Sequence, residues 1–439
     1  MTARYLVGDA FERLAELPDN SVDLVMTSPP FLALRSYLPD DHPNKAAEIG
    51  SEPTPAAFLD TMLDLTTACE RVLTPHGSIC IELGDTYAGS GGAGGDYADG
   101  GLRDGQGKTD GSARRTRPVK ASPDARSHRE MGDGAVAITG GAGWPLAKSL
   151  TFMPSLFAAS LAYGRNLLRP EHTIDPWRVR NLVAWVRPNP PVGALGDKVR
   201  PATSYLTWAC KSNKRWFDLD AVRTPHVDSS HVPNGPKAAT PSDDHGRGTY
   251  GFTERTVHPA GAPPLDWWKI SPGGYTGSHY AVYPPELTRI PIEASCPRRV
   301  CTTCGEPSRR ITEATDEYLA LMGDSIRDDI NGRSTSKARN KIQREGLAAR
   351  TTTTTGWTTC GCPGTDGIRH DGYHTGTGWR PGVVLDPFAG SGSTLIMAGG
   401  LSRDAIGIDL DSRNADLAVE RLGMFVEIDY GDNAPPEAA

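Results

Sequence analysis

Pro381-Gly382-Val383-Val384-Leu385-Asp386-Pro387-Phe388-Ala389-Gly390-Ser391-Gly392-Ser393-Thr394 reads as a strand, a tight glycine turn and the first residues of a helix, which the apolar run Leu395 to Ala398 continues. Gly390 and Gly392 let the backbone approach a ligand closely, and a helix start offers free N–H groups. A glycine turn alone says little, because ordinary βα loops use glycine too. A second short strand follows, however: Asp404-Ala405-Ile406-Gly407-Ile408-Asp409. It ends in a carboxylate, placed to accept hydrogen bonds from ribose hydroxyls. The spacing is shorter than a dinucleotide fingerprint requires and the loop has no G-x-G-x-x-G. The implied ligand is nucleoside-like and not NAD.

Far upstream lies a second strand with a distinctive end: Asp23-Leu24-Val25-Met26-Thr27-Ser28-Pro29-Pro30-Phe31. The apolar run suits a buried parallel strand. The two prolines stop both ladder pairing and helix formation, leaving a stiff turn at the strand's carboxyl end. In open α/β sheets ligands bind outside that end. A hydroxyl, rigid backbone carbonyls and an aromatic face are thus presented together. This suits an exocyclic amine on a nucleobase, whose lone pair is delocalised into the ring. Hydrogen bonds to Ser28 Oγ and the Pro29 carbonyl would draw the nitrogen toward tetrahedral geometry, with Phe31 stacked on the base. Taken alone, the tetrapeptide reads equally well as a turn whose prolines only set direction.

Together the two stretches resemble the amino-group DNA methyltransferases that form N4-methylcytosine or N6-methyladenine from S-adenosylmethionine. Asp386-Pro387-Phe388-Ala389-Gly390-Ser391-Gly392 is similar to the family's cofactor motif, and Ser28-Pro29-Pro30-Phe31 to its catalytic motif. Catalytic motif first and cofactor motif last is the circularly permuted order of the β class. Gly8-Asp9 resembles the position that contacts the cofactor's adenine. Tyr280-Ala281-Val282-Tyr283-Pro284-Pro285-Glu286-Leu287 resembles the segment that closes the cofactor pocket. Arg35-Ser36-Tyr37 is similar to a Leu-Arg-x-Tyr segment beside the pocket. Trp185-Val186-Arg187-Pro188-Asn189-Pro190 resembles one bordering the base. The resemblance implies cofactor contacts from Asp9, Tyr283, Asp386, Pro387, Phe388, Ala389, Gly390, Ser391, Gly392, Ser393, Thr394 and Asp409. It assigns catalysis to Ser28, Pro29, Pro30 and Phe31.

The matching segments divide the chain. Residues 1–87 are the catalytic half of the methyltransferase domain, 88–147 a flexible Gly-rich insertion, and 148–223 the domain continued. Residues 224–266 are a candidate target-recognition region and 267–296 close the cofactor pocket. Residues 297–380 form a second insertion, 381–424 the cofactor-binding half, and 425–439 a tail. Within this frame Phe58 to Leu73 has helical periodicity, preceded by Thr54-Pro55 and stopped by Thr74-Pro75-His76-Gly77. Ser78 to Leu83 reads as another buried strand, and Tyr205 to Cys210 as a further one. Trp267 and Trp268 read as packing residues. Asp316 to Arg350 looks like charged helix, and Thr351 to Thr355 is low complexity.

The second insertion opens with Cys301-Thr302-Thr303-Cys304-Gly305 and closes with Cys360-Gly361-Cys362. Two close cysteine pairs flanking one excursion fit a tetrahedral zinc site with four thiolate ligands. The C-x-C spacing of the second pair is less common, and unliganded thiols beside glycine turns are the plainer reading. Zinc on Cys301, Cys304, Cys360 and Cys362 is expected, with Cys296 as a substitute ligand, because exposed thiols would otherwise be reactive.

Composition sets outer bounds. The chain has 439 residues, long enough for two or three domains. Its 49 glycines and 36 prolines signal long loops. No apolar run approaches membrane-spanning length, and Met1-Thr2-Ala3-Arg4 lacks a signal-peptide pattern, so a cytoplasmic location is expected. The net charge of −7 argues against a dedicated nucleic-acid binder but allows a local basic cleft. Basic clusters occur at Arg114-Arg115, Arg117 and Lys120, at Arg298-Arg299, and at Arg309-Arg310.

The resemblance therefore implies a Rossmann-like α/β methyltransferase fold, circularly permuted and seven-stranded, with loop-rich insertions and a small zinc knuckle. The implied reaction is methyl transfer from S-adenosylmethionine to cytosine N4 in double-stranded DNA, with base flipping and no covalent base adduct. Ser before Pro29 favours cytosine; adenine N6 is the alternative. C5-cytosine methylation is disfavoured because no cysteine follows a proline. RNA or protein-amide methylation, and an inactive DNA-binding protein on the same scaffold, are further alternatives. A cognate restriction endonuclease is a candidate partner.

Overall fold

A computed structural model describes residues 2–34, 38, 44–89, 142–190, 198–225, 235–236, 252–253, 258, 260–272, 283–316, 352–365, 376–423 and 426–431. Arg35-Ser36-Tyr37, Tyr280 to Val282, the Arg114 to Lys120 cluster and the charged stretch after Asp316 lie outside those residues. So do most of the first insertion and of the 224–266 region.

Two parallel strands form the centre of the larger sheet: β2 (Val22–Thr27), buried throughout, and β13 (Val383–Asp386), buried except at Val383. Runs buried on both faces are the mark of a parallel sheet covered by helices. From this centre the chain winds outward in both directions. On one side β13 is followed by α5 (Ser393–Gly400) and β14 (Asp404–Asp409). On the other, β2 is followed by α2 (Pro55–Val72) and β3 (Leu73–Leu83). The remaining strands are β1 (Ala3–Val7), β4 (Arg178–Val186), β5 (Thr203–Cys210), β8 (Trp267–Lys269) and β15 (Val426–Asp429). The full order is β15-β1-β14-β13-β2-β3-β5-β4-β8. The strands from β15 to β3 are parallel, and β5 runs antiparallel to both its neighbours.

Among the described residues the sheet has nine strands, not seven. The two additional ones, β8 and β15, are short edge strands of three and four residues. Neither carries the apolar pattern of a central strand, and β15 falls within the stretch expected to be a tail. The turn expected at Thr74 to Gly77 is instead part of β3, an 11-residue strand. Tertiary contacts override the local signal here. The buried Asp23 carboxylate takes hydrogen bonds from Thr74 Oγ1 (3.4 Å) and the Val383 amide (2.8 Å) and lies 2.9 Å from His76 Nε2. One side chain thereby links β2 to both flanking strands.

Helices cover both faces. On one side α1 (Ala10–Glu16), α2 and α3 (Met153–Tyr163) pack with the sheet around Phe58, Leu59, Met62, Leu63, Phe157 and Leu161. Thr54 caps α2 by accepting from the Ala57 amide (3.2 Å), with Pro55 at its first position, where a missing N–H costs nothing. On the other side lie α4 (Glu286–Ser295), α5 and α6 (Ser412–Leu422). Trp268 is buried and meets Trp208 edge-on at 6.5 Å between ring centroids, a packing role; Trp267 is half exposed.

These elements belong to one unit, made of Met1–Trp216, Asp266–Cys296 and Pro381–Ala439. A second unit comprises Phe217–Leu265 and Pro297–Arg380. Its described strands are short: β6 (Gly235–Pro236) pairs with β7 (Phe252–Thr253), β9 (Val300–Cys301) with β12 (Trp379–Arg380), and β10 (Arg310–Ala314) with β11 (Thr352–Trp357). The threonine run from Thr351, of low complexity in the sequence, is strand from Thr352 onward, in keeping with the β preference of threonine's branched side chain. Arg310 pairs with Asp218 at 2.6 Å and lies over Trp357, so this basic residue is committed to the unit's own packing.

Candidate active site

The carboxyl ends of β13 and β2 lie side by side where the winding reverses, the place where open α/β sheets form a ligand crevice. A cleft of ≈ 870 Å3 opens there. It is lined by Asp9, Ser28, Pro30, Tyr283, Pro387, Phe388, Ala389, Gly390, Ser391, Ser393 and Asp409, all expected from the sequence, and by Leu38, Glu48, Ile49, Asp411 and Asn414, which were not.

The glycine turn is held in a shape that needs glycine. Gly390 and Gly392 have φ of 50° and 81°, in the left-handed region that L side chains avoid. The Gly390 amide donates to Asp409 Oδ2 (2.8 Å) and its carbonyl accepts from Tyr5 Oη (2.6 Å). Arg421 donates to the Ser391 carbonyl (2.9 Å) from α6. The opposite carboxylate oxygen, Asp409 Oδ1, accepts from the Asp411 amide and Asn414 Nδ2, both at 2.9 Å. Burial lifts the Asp409 carboxyl to about 6 against the lowering pull of these hydrogen bonds. Asp9 faces the same cleft as the N-cap of α1, where its Oδ1 accepts from the amides of Phe11 (2.9 Å) and Glu12 (3.1 Å).

Asp386 and Thr394 play a different part from the other residues of the glycine motif. The Asp386 carboxylate is fully buried and accepts from Thr27 Oγ1 (2.5 Å), Thr394 Oγ1 (2.6 Å), Tyr283 Oη (2.7 Å) and the Phe388 amide (3.1 Å). Burial raises its pKa, opposed by these donors. Asp386 thus binds β13, β2, α5 and Tyr283 into one frame beneath the cleft. Asp386 is not itself among the residues that line the cleft.

At the end of β2 the Ser28 hydroxyl donates to Glu82 Oε2 at 2.6 Å. Glu82 stands on β3, 1% exposed, and its Oε1 has no hydrogen-bond partner among the described residues. Burial raises its pKa, partly offset by the Ser204 and Ser28 hydroxyls and the Arg187 guanidinium nearby. With its proton turned toward Glu82, Ser28 Oγ presents lone pairs to the cleft. Pro29 is buried, and among the described residues no donor reaches its carbonyl. The Phe31 ring lies against Gly84, where a Cβ would sit 2.5 Å from the ring. Glycine at position 84 is what leaves room for the aromatic face. The Ala33 amide donates to the Gly50 carbonyl (2.7 Å), tying the catalytic turn to the segment that contributes Glu48 and Ile49.

Glu82 is the residue that sequence reasoning passed over. A lone carboxylate inside Ser78-Ile79-Cys80-Ile81-Glu82-Leu83 was the available signal, since a charge in a buried strand needs a partner. Arg187 lies over the Trp185 ring (5.2 Å), and Trp185 Nε1 donates to the Ile270 carbonyl (2.9 Å).

A separate cluster occupies the second unit. Single sulfur atoms of Cys301, Cys304, Cys360 and Cys362 all lie within 4.8 Å of one another. Gly305 and Gly361 have φ of 71° and 74°, which turns each cysteine pair back on itself. The Thr303 amide donates to Cys301 Sγ at 3.4 Å, as expected for a sulfur carrying negative charge. Cys296, the substitute ligand, instead caps α4 in the first unit and is not part of this cluster.

A match to the N6- and N4-type DNA methylase family covers residues 22–300 and 380–420, and the chain belongs to that family. The Type II methyltransferase M.SmaI of Serratia marcescens is 22% identical over 422 residues, 96% of this chain and 91% of that protein. The Type II methyltransferase M.Cfr9I of Citrobacter freundii is 26% identical over 288 residues, 66% of this chain and 71% of that protein. Among solved structures, the PvuII DNA methyltransferase, described as cytosine-N4-specific, aligns over 99% of this chain and 96% of its own. The TM-score of that alignment is 0.43, at 13% identity.

Proposed function

We propose that this DNA methylase transfers a methyl group from S-adenosylmethionine to cytosine N4 in duplex DNA, within a circularly permuted methyltransferase fold. The observation that carries the cofactor reading is the charge of the cleft. Asp9, Glu48, Asp409 and Asp411 line it, and among the described residues no lysine or arginine does. A glycine turn at a helix start ordinarily suits phosphate. Glu48 is paired with Lys45 and Asp411 with Arg413, which leaves Asp9 and Asp409 as the carboxylates that would repel phosphate and favour a nucleoside that carries positive charge. S-adenosylmethionine, with its sulfonium and ammonium groups, has that character and supplies an electrophilic methyl.

The chain's own groups do the rest by positioning. Asp409 accepts from the ribose hydroxyls, Asp9 contacts the adenine edge, and Phe388 and Ile49 supply apolar walls. Ser28 Oγ and the Pro29 carbonyl accept from the two amino protons of a base turned out of the duplex. The nitrogen lone pair then points at the methyl. As the N–C bond forms and the C–S bond breaks, the amine's surplus proton passes to Ser28 Oγ while the Ser28 proton moves to Glu82 Oε2. Ser before Pro29 favours cytosine N4 over adenine N6. The names of the Type II relatives suggest a restriction-modification setting, with a cognate endonuclease as partner. The four clustered cysteines fit a structural zinc: a tetrahedral site with Zn–S of about 2.3 Å has sulfurs about 3.8 Å apart. Among the described residues no helix is long and apolar enough to cross a membrane.

Purified protein supplied with methyl-labelled S-adenosylmethionine and bacterial genomic DNA should place the label in DNA; label that stays entirely acid-soluble would count against the reading. Cofactor binding should also depend on pH. Asp409 is ionised above about 6 and loses its charge as pH falls through that value. The ionised form accepts from both hydroxyls and attracts the cation, so affinity should hold above about pH 7 and fall below about pH 6. Asp409→Asn should weaken binding about tenfold, the loss expected for a charge-assisted hydrogen bond, and flatten the pH dependence. Calorimetry across that range checks both; a wild-type profile without an acid limb would remove Asp409 from the cofactor site.

A further inference from the structure

Phe152 stands immediately before α3 with φ 59° and ψ 28°, left-handed geometry that an aromatic residue adopts only when the surroundings impose it. Those surroundings are specific. Asp85 accepts from the Phe152 amide (3.1 Å), from Thr151 Oγ1 (2.6 Å) and from the Met153 amide (3.4 Å). The Thr151 amide donates to the Thr86 carbonyl (3.0 Å). The backbone is therefore fixed on both sides of the strained residue.

The ring does not repay this strain by burial, because Phe152 is 57% exposed. Glycine would take the same backbone shape without strain, as Gly164 does at the other end of α3 with φ 66°. A rigid mount that holds an aromatic ring out to solvent is a display device. Its location gives it a use. Asp85 follows Gly84, the residue against which the Phe31 ring rests, just beyond the carboxyl end of β3. Since β3 runs parallel to β2, Phe152 and Ser28 stand at the same edge of the sheet. Ser28, Phe31, Gly84, Asp85 and Phe152 form one continuous, tightly held run.

We propose that Phe152 enters the DNA duplex and stacks in the gap left by the base that turns out to Ser28. The inference rests on the DNA-methylation reading above. Removing a base from the stack costs free energy, and an aromatic wedge in the vacated step recovers part of the lost stacking. A ring that must meet the gap in register with the catalytic turn gains from a fixed backbone.

Single-turnover methylation tests this on two duplexes carrying the sequence that wild-type protein marks. One duplex is fully paired, and the other has an abasic site opposite the target base. Phe152→Ala and Phe152→Gly should be slowed about tenfold or more on the paired duplex, and should recover to within about threefold of wild type when the target has no partner to leave. Phe152→Trp should stay near wild type on both. Phe152→Gly should melt no lower than wild type, because glycine suits the backbone. Equal losses on both duplexes would assign Phe152 a structural role and overturn the proposal, as would an unchanged rate on paired DNA. A wild-type protein that marks no sequence in DNA would overturn the methylation reading itself, an outcome distinct from a loss confined to the variants.

Discussion

Ser28→Ala is expected to slow methyl transfer by about 10²- to 10³-fold, the usual consequence of deleting one preorganised group from the reacting centre. Two effects add. The amine loses one of the two acceptors that hold its protons away from the methyl, so its lone pair stays delocalised. The surplus proton also loses its path to Glu82, whose Oε2 accepts from Ser28 Oγ in the resting site. Glu82 is buried, and Ser28→Ala leaves both its oxygens without the one short hydrogen bond they have among the described residues. Cofactor affinity should change by less than about threefold, because the glycine turn and Asp409 carry that site independently of Ser28. Rapid-quench kinetics and calorimetry on the same preparation separate the two quantities. An undiminished rate would remove Ser28 from the chemistry, and a parallel loss of cofactor affinity would make it a structural residue.

The second large effect is expected from the metal. Protein purified without chelator should hold about one zinc per chain, and Cys301→Ser or Cys360→Ser should release it. Binding by four thiolates contributes on the order of 10 kcal/mol to such a site, more than the short hairpins of the second unit supply by themselves. Strands β9 and β12 pair over only two residues each, and in β10 and β11 only Trp357 is buried. Removing the metal should therefore loosen this unit. Trp357 and Trp379, both on its strands, offer a fluorescence reading of that change. Elemental analysis that finds no metal, with all four thiols reacting freely, would remove zinc from the account.

Much of the fold was legible because local and global signals agree along it. The helix expected from Phe58 to Leu73 is Pro55–Val72, started by the Thr54-Pro55 pair that the sequence displays. The strand–glycine turn–helix of Val383 to Thr394 and the strand ending at Asp409 are present with the expected order. Where the reading erred, long-range contacts decide. Thr74 to Gly77 looks like a stop, yet Asp23 draws Thr74 and His76 into β3 from across the sheet. The edge strands β8 and β15 have no periodic signal of their own and exist because β4 and β1 offer them a partner.

The site shows the same division. Residues that touch the cleft through a motif were visible, because a glycine turn or a Ser-Pro-Pro-Phe has a local shape. Glu48 and Ile49 were not, since they reach the cleft through the Ala33–Gly50 hydrogen bond, a contact made only on folding. Asp386 was assigned to the cofactor by its place in the motif; its four protein donors give it the role of holding the frame.

The central claim is that the Ser28 turn methylates an exocyclic amine, and the identity of the product tests it most directly. DNA from a methylation-free host expressing the protein can be read by modification-sensitive single-molecule sequencing and hydrolysed for mass spectrometry. The account predicts N4-methylcytosine at one short fixed sequence. The mark should be absent from cells expressing Ser28→Ala at equal protein levels. N6-methyladenine would keep the mechanism and change the base. C5-methylcytosine, or an unaltered mark in the Ser28→Ala strain, would contradict the account.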